Sequence, residues 1–173
     1  MERYMYYVNY TVKKDSSNQN FKKMKTYLLS LLLLISILPL SAQNTDDEQA
    51  IKDLVQNTFD GIWSDLDADN ITKYQTEDFI LLEHGEVWTN DTIANYCLRA
   101  QKRPNRPERI NDFEFIEVKV IGDWAWAAYH NYGTFKSLGA EDRKRYWLES
   151  VVAIRTDDGW KLKMMHSTRG KID

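Results

Sequence analysis

The sequence predicts an α+β fold in which helices come first and an antiparallel sheet comes last. Two patterns and one bound carry that expectation. Apolar residues recur at three- and four-residue steps early in the folded part and at two-residue steps late in it. A chain of 173 residues, 43% hydrophobic with seven Gly and three Pro, has room for one well-buried core and not comfortably for two.

The first 42 residues stand apart from this pattern. They hold six Lys/Arg against two acidic residues, while the rest holds seventeen against twenty-four. Lys22, Lys23 and Lys25 precede a leucine-rich run from Tyr27 to Leu38, and Pro39, Leu40, Ser41 and Ala42 follow it. That is the layout of a signal peptide with cleavage after Ala42. The run is too short for a transmembrane helix, which needs about 20 apolar residues. Translation is expected to start at Met24, so residues 1–42 form an N-terminal extension and signal, and residues 43–173 form the single domain. A periplasmic or secreted location follows. The acidic mature part argues against a nucleic-acid partner and against adsorption to anionic lipid.

The first helix is predicted from Ile51, Leu54, Val55, Thr58, Phe59, Ile62, Trp63 and Leu66, which share one face. Thr45 and Glu48 read as its capping box. A short helical turn ends at Tyr74, and Phe79-Ile80-Leu81-Leu82 reads as a buried strand bounded by Gly85. A second helix starts at Asn90 or Asp91 and ends in the polar segment Gln101–Arg109. Cys97 falls on that helix as a buried packing residue, and as the one cysteine of an exported chain it rules out an intrachain disulfide. Four strands follow, at Asn111–Ile121, Trp124–Phe135, Arg145–Arg155 and Trp160–Thr168. Tight turns at Gly122-Asp123 and Asp157-Asp158-Gly159 join two of the pairs.

This order of elements resembles the NTF2-like superfamily. Ile121-Gly122-Asp123-Trp124-Ala125 is similar to a hairpin of its small bacterial SnoaL-like and DUF4440-like members. Val152-Ala153-Ile154-Arg155-Thr156-Asp157-Asp158-Gly159-Trp160-Lys161-Leu162, followed by His166-Ser167, resembles their closing hairpin. The resemblance covers about Asp46 to Arg169. It implies a cone with N-terminal helices packed on a curved antiparallel sheet, an enclosed pocket, and a homodimer paired through the sheet. It does not imply one activity, because the superfamily includes isomerases, cyclases, dehydratases and transport adaptors. The Tyr and two carboxyls of ketosteroid isomerases have no residue-by-residue counterpart here.

Alternation in the last strand places Trp160, Leu162, Met164 and His166 on the inward face. In the strand before it, Trp147, Glu149, Val151 and Ala153 share one face and Tyr146, Leu148, Ser150, Val152 and Ile154 the other. Both faces are largely apolar, as when one lines a core and the other a dimer interface. Glu149 and His166 are the catalytic candidates, either as an acid–base pair or as a hydrogen-bonded pair fixing the pocket wall. Trp63, Tyr74, His84, Trp88, Tyr96, Trp126, Tyr129, Trp147 and Trp160 are the candidate pocket residues, though rings at strand spacing also serve as plain core. His84 beside Glu83 reads as an exposed turn residue, and His130 sits in the central strand.

No cofactor is expected. The three histidines are far apart and no Cys pair exists, so no metal site is predicted. Phosphate-loop and Gly-x-Ser-x-Gly motifs are missing from residues 43–173. The basic cluster Arg99, Lys102, Arg103, Arg106 and Arg109 reads as a solvated connector. Three roles remain open: a module binding a small apolar or amphipathic ligand, a cofactor-independent isomerase, cyclase or dehydratase, and a protein-interaction subunit.

Overall fold

The computed structural model describes residues 39–172, almost wholly within the unit Gln43–Asp173. The expected signal peptide therefore lies outside the described residues except for its last positions. Helix α1 is Pro39–Thr58, continued by a wide π-helical turn at Phe59–Ser64. A 3₁₀ turn at Ala68–Asn70 leads into the short helix α2, Ile71–Tyr74. Strands β1 (Gln75–Glu83) and β2 (Glu86–Thr89) form a hairpin, helix α3 is Asn90–Gln101, and a four-strand meander completes the chain. The meander is β3 (Glu108–Ile121), β4 (Trp124–Lys136), β5 (Arg143–Thr156) and β6 (Gly159–Arg169).

The six strands form one sheet in the order β2-β1-β6-β5-β4-β3. The meander is antiparallel as expected, but β1 runs parallel to β6, so the sheet is mixed. The α+β architecture, with helices packed on a curved sheet, is the one the sequence predicts. Two elements differ from expectation. Because α1 extends back to Pro39, Thr45 is a helix-interior residue and not the N-cap of a capping box. Strand β2 follows Gly85 directly through a two-residue turn, where His84 and Gly85 both adopt positive φ.

The core lies between the helices and one face of the sheet. Ile51, Leu54, Val55, Thr58, Phe59 and Ile62 of the predicted helical face are buried, as are Ile93, Cys97 and Ala100 of α3. Cys97 packs there, with its thiol donating to the Ile62 carbonyl at 3.4 Å. Burial raises its pKa, the opposite of what a nucleophilic cysteine needs. Gly61 permits the close approach of the 3₁₀ turn, since a Cβ there would come within 2.9 Å of the Asn70 side chain.

Two β-bulges within the meander bend it and reset its alternation. In β3 the pairing skips Ile116, so Phe113 and Phe115 face inward before it and Val118 and Val120 after it. In β6 the pairing skips Lys163: Leu162 opposes Ala153, while Met164 opposes Val152. One inserted residue flips every later side chain to the opposite face. Met165 and Ser167 are consequently buried, and His166 is exposed.

Candidate functional site

The meander carries one polar side chain per strand on its inner face. Asn111 on β3, Asn131 on β4, Glu149 on β5 and Ser167 on β6 are all buried, each at most 7% exposed. They form a single hydrogen-bonded ladder across four strands. The Arg109 Nε donates to Asn111 Oδ1 at 2.9 Å, and the Asn111 amide donates to Asn131 Oδ1 at 2.7 Å. The Asn131 amide then donates to Glu149 Oε2 at 3.0 Å, and the Ser167 hydroxyl to Glu149 Oε1 at 2.9 Å. The ends fix the direction of the chain. A guanidinium can only donate and an ionised carboxylate can only accept, so both amides between them are oriented.

Registry explains why these four meet. Glu149 lies directly opposite Ser167 on β6 and opposite Tyr129 on β4, while Asn131 is the next inward position along β4. Parallel pairing sets Glu83 of β1 beside Ser167 in turn. Gly133 leaves room beside them, because a Cβ at that position would come within 2.8 Å of the Trp147 ring.

The ladder forms part of the wall of a cavity of about 270 Å³. Glu149, Ser167 and Arg109 line it from the sheet; Phe59, Trp63, Trp88, Tyr96 and Trp147 supply aromatic walls, and Glu83 and His84 complete its polar lining. The Arg109 guanidinium is packed among the rings of Trp147, Phe59 and Phe135 at 5.1, 5.4 and 5.5 Å from their centroids.

Burial decides the electrostatics. Removal from water pushes the Glu149 carboxyl up to about 7, outweighing the hydrogen bonds from Asn131 and Ser167 and the charge of Arg109, which all favour the ionised form. Burial likewise draws the Arg109 guanidinium below its ordinary value, with Glu149 opposing the shift. The Tyr129 hydroxyl is buried and makes no hydrogen bond of ordinary geometry. Burial first, and then the nearby Glu149, raise that phenol well above its usual range. A carboxyl that changes charge near neutral pH can accept a proton from a bound molecule and return it.

The sequence-predicted residues divide. Trp63, His84, Trp88, Tyr96, Trp147 and Glu149 all line the cavity. His84 is half exposed and its Nε2 lies 2.9 Å from Glu83 Oε1, so the two make a pair at one side of the site. Four expected pocket residues lie elsewhere. Tyr129 is core, packed against Phe113 and Phe115; Trp126 is on the outer sheet face. Tyr74 packs beside Gly61 beneath the Lys73 ammonium, and Trp160 sits under Arg155 with its N–H toward Asp47.

His166 requires a correction. The expected pairing with Glu149 does not form, because the bulge at Lys163 turns His166 outward and brings Ser167 to the carboxyl. His130 also faces outward, bonded through Nδ1 to Tyr146 Oη at 2.8 Å. Asn111, Asn131, Ser167 and Arg109 were not identified as site residues from sequence. A signal existed for Asn131, the one side chain with an amide at the inward parity of Ala125, Ala127 and Tyr129. Among the described residues, no cluster of three or more His, Cys, Asp or Glu is placed to hold a metal ion, and no helix is long and apolar enough to cross a membrane.

No protein-family model and no curated protein matches the sequence. Solved structures do match. An NTF2-like superfamily protein from Salmonella enterica superposes with a TM-score of 0.61 at 13% identity, covering 74% of this chain and 94% of that one. The hexachlorocyclohexane dehydrochlorinase LinA-type3 from Novosphingobium barchaimii gives 0.59 at 12% identity, covering 75% and 90%. The association domain of CaMKII from C. elegans gives 0.60 at 21% identity, covering 73% and 98%. With its helices packed on the six-stranded sheet, the described domain has the NTF2-like fold.

Proposed function

We propose that this chain is an exported domain that takes a small, largely apolar molecule into the Glu149 cavity. The carrying observation is the site's composition: aromatic walls around a carboxyl that is buried, doubly hydrogen-bonded and set to change charge near neutral pH. Pockets of this kind bind through apolar area and orient their guest with a few convergent polar groups. A structural match to a dehydrochlorinase is consistent with a fold that holds small molecules, though its substrate belongs to that protein.

A second reading rests on the same carboxyl. In its ionised form Glu149 is suited to remove a proton from one carbon of the guest and return it to another, an isomerisation that needs no cofactor. Export and dimerisation belong to the proposal as well. The outer sheet face exposes Trp124, Trp126, Tyr132 and Leu148, an apolar surface suited to a second copy of the chain.

Native mass spectrometry of the protein recovered from the exported fraction of its producing cells tests the proposal. A dimer mass that loses a small molecule on denaturation supports binding. Recovery only from the cell interior, as a monomer with no releasable guest, contradicts it. Turnover of that guest by wild type and not by Glu149→Gln separates catalysis from simple binding.

A further inference from the structure

A basic cluster that reads as a solvated connector becomes something else in three dimensions. Arg103, Arg106 and Arg109 line a second cavity of about 180 Å³, where Arg143 from the start of β5 joins them. Arg103, Arg106 and Arg109 are neighbours in sequence, from the segment after α3 into β3, and the fold adds Arg143 from β5. The second cavity adjoins the first, sharing Trp63, Tyr96, Arg109 and Phe135 as walls. Among the described residues, no carboxylate lines it.

The donors here are largely unspent. Among the described residues, the side chains of Arg103 and Arg143 make no hydrogen bond or ion pair. Arg106 donates to the Asp65 carbonyl at 3.1 Å, and Arg109 donates only through Nε, to Asn111. Two more donors of the same wall, Trp63 Nε1 and Ser64 Oγ, are buried with no acceptor. Four like charges around one hollow repel one another; the carboxylates nearest them, Asp60, Asp65 and Glu108, lie in a neighbouring cavity that shares Arg106 and Arg109, so Arg103 and Arg143 are the two left without an acidic wall. An oxyanion offsets part of that repulsion, and guanidinium groups match carboxylate, sulfate and phosphate with paired hydrogen bonds.

We propose that the arginine-lined cavity seats an oxyanion at one end of the ligand whose apolar body fills the Glu149 cavity. The site then selects an amphipathic molecule with one anionic terminus, and Arg109, which lines both cavities, stands where the two parts join. This inference rests on the small-molecule reading above and names the class of molecule.

Three probes separate the two ideas: 4-phenyl-1-butanol reads the apolar cavity, sulfate reads the arginines, and 4-phenylbutyrate reads both. Binding is followed by calorimetry and by fluorescence of the tryptophans lining the larger cavity. The butyrate should bind about tenfold or more tighter than the alcohol, the step of a single charge-assisted hydrogen bond. Sulfate, against a chloride control at equal ionic strength, should compete with the butyrate and not with the alcohol. The double variant Arg103→Ala/Arg143→Ala changes two exposed residues; it should bring the butyrate to the alcohol's affinity and leave the alcohol unchanged. Equal affinities for the two organic probes, or a butyrate preference that survives in the double variant, overturn the head-group assignment while leaving the small-molecule reading in place. Binding of neither organic probe overturns both, and sulfate binding in that case marks an isolated anion site.

Discussion

The two faces of the meander are built from the same strands, residue by residue in alternation, yet they present opposite chemistry. The inner face carries Asn111, Asn131, Glu149 and Ser167, polar groups sealed under helices and bonded to one another. The outer face carries His130, Tyr132 and Tyr146, a stack of rings with centroids 5.3 to 6.2 Å apart, with Trp124 and Trp126 exposed nearby. Histidine and tyrosine are the side chains one would first nominate for acid–base work, and the sheet puts these three on the wrong side for it. What makes a reactive group here is removal from water more than residue type. Glu149 is the clearest instance, since burial overrides two hydrogen bonds and a neighbouring cation in setting its protonation.

The sharpest way to break that contrast is to interrupt the ladder. Asn131→Leu keeps the branched shape of the side chain but leaves Glu149 Oε2 and the Asn111 amide buried without their partner. The expected loss is about 3 to 4 kcal/mol, read by urea denaturation at pH 8 where Glu149 is charged. Tyr132→Leu, its neighbour on the outer face, should cost far less. A similar loss from both would show that burial does not distinguish the faces.

Acidity gives the next largest effect. A carboxyl whose folded pKa lies above its unfolded value binds more protons when folded, so folding weakens as pH rises between the two values, from 4.5 to about 7. Wild type should lose up to roughly 3 kcal/mol relative to Glu149→Gln across that window and run parallel to it above. Asp47 works in the opposite sense. The Arg155 bond holds its pKa below the usual carboxylate range, so its contribution is present at neutral pH and lost in acid. Comparing the two proteins at each pH cancels that second slope.

Gly133→Ala tests the wall between the ladder and the rings. The added methyl meets Trp147 at 2.8 Å and Phe135 at 3.3 Å, with an expected cost of about 1 to 3 kcal/mol by thermal denaturation and a matching loss of cavity space. The smallest effect on folding belongs to the outer face. Trp126→Thr should change monomer stability by no more than about 0.5 kcal/mol while weakening self-association, read by sedimentation. An unchanged association constant would remove Trp126 from the proposed dimer surface.

The legible and illegible parts of the molecule follow from range. Helical and strand periods are local, so the face of α1 and its π-helical continuation from Ile51 to Ile62, helix α3 and the four strands of the meander are all readable in the sequence. The same alternation puts Trp147, Glu149, Val151 and Ala153 on one face of β5, but both faces of that strand are largely apolar, so which of them points inward is settled only by the packing of the helices. His166 shows where that reasoning stops. A bulge is a property of two paired strands, and nothing in Met164-Met165-His166-Ser167 alone reports that Lys163 has no partner. The parallel pairing of β1 with β6 and the gathering of Arg143 with Arg103, Arg106 and Arg109 are equally non-local. Asn131 failed for another reason: an amide at a core position reads as a defect until its partners on β3 and β5 are known.

At the centre of the site the fold holds the Glu149 carboxyl near the middle of the neutral range. Its titration can be followed through the side-chain carboxyl carbon of ¹³C-glutamate-labelled protein by NMR from pH 3 to pH 9, with Glu149→Gln to assign the signal. One carboxyl should titrate at about 7, apart from the exposed glutamates, and should disappear in the variant. A Glu149 signal that titrates near 4.5 would mean that water or the ladder stabilises its charge fully, and the site would lose its acid–base group.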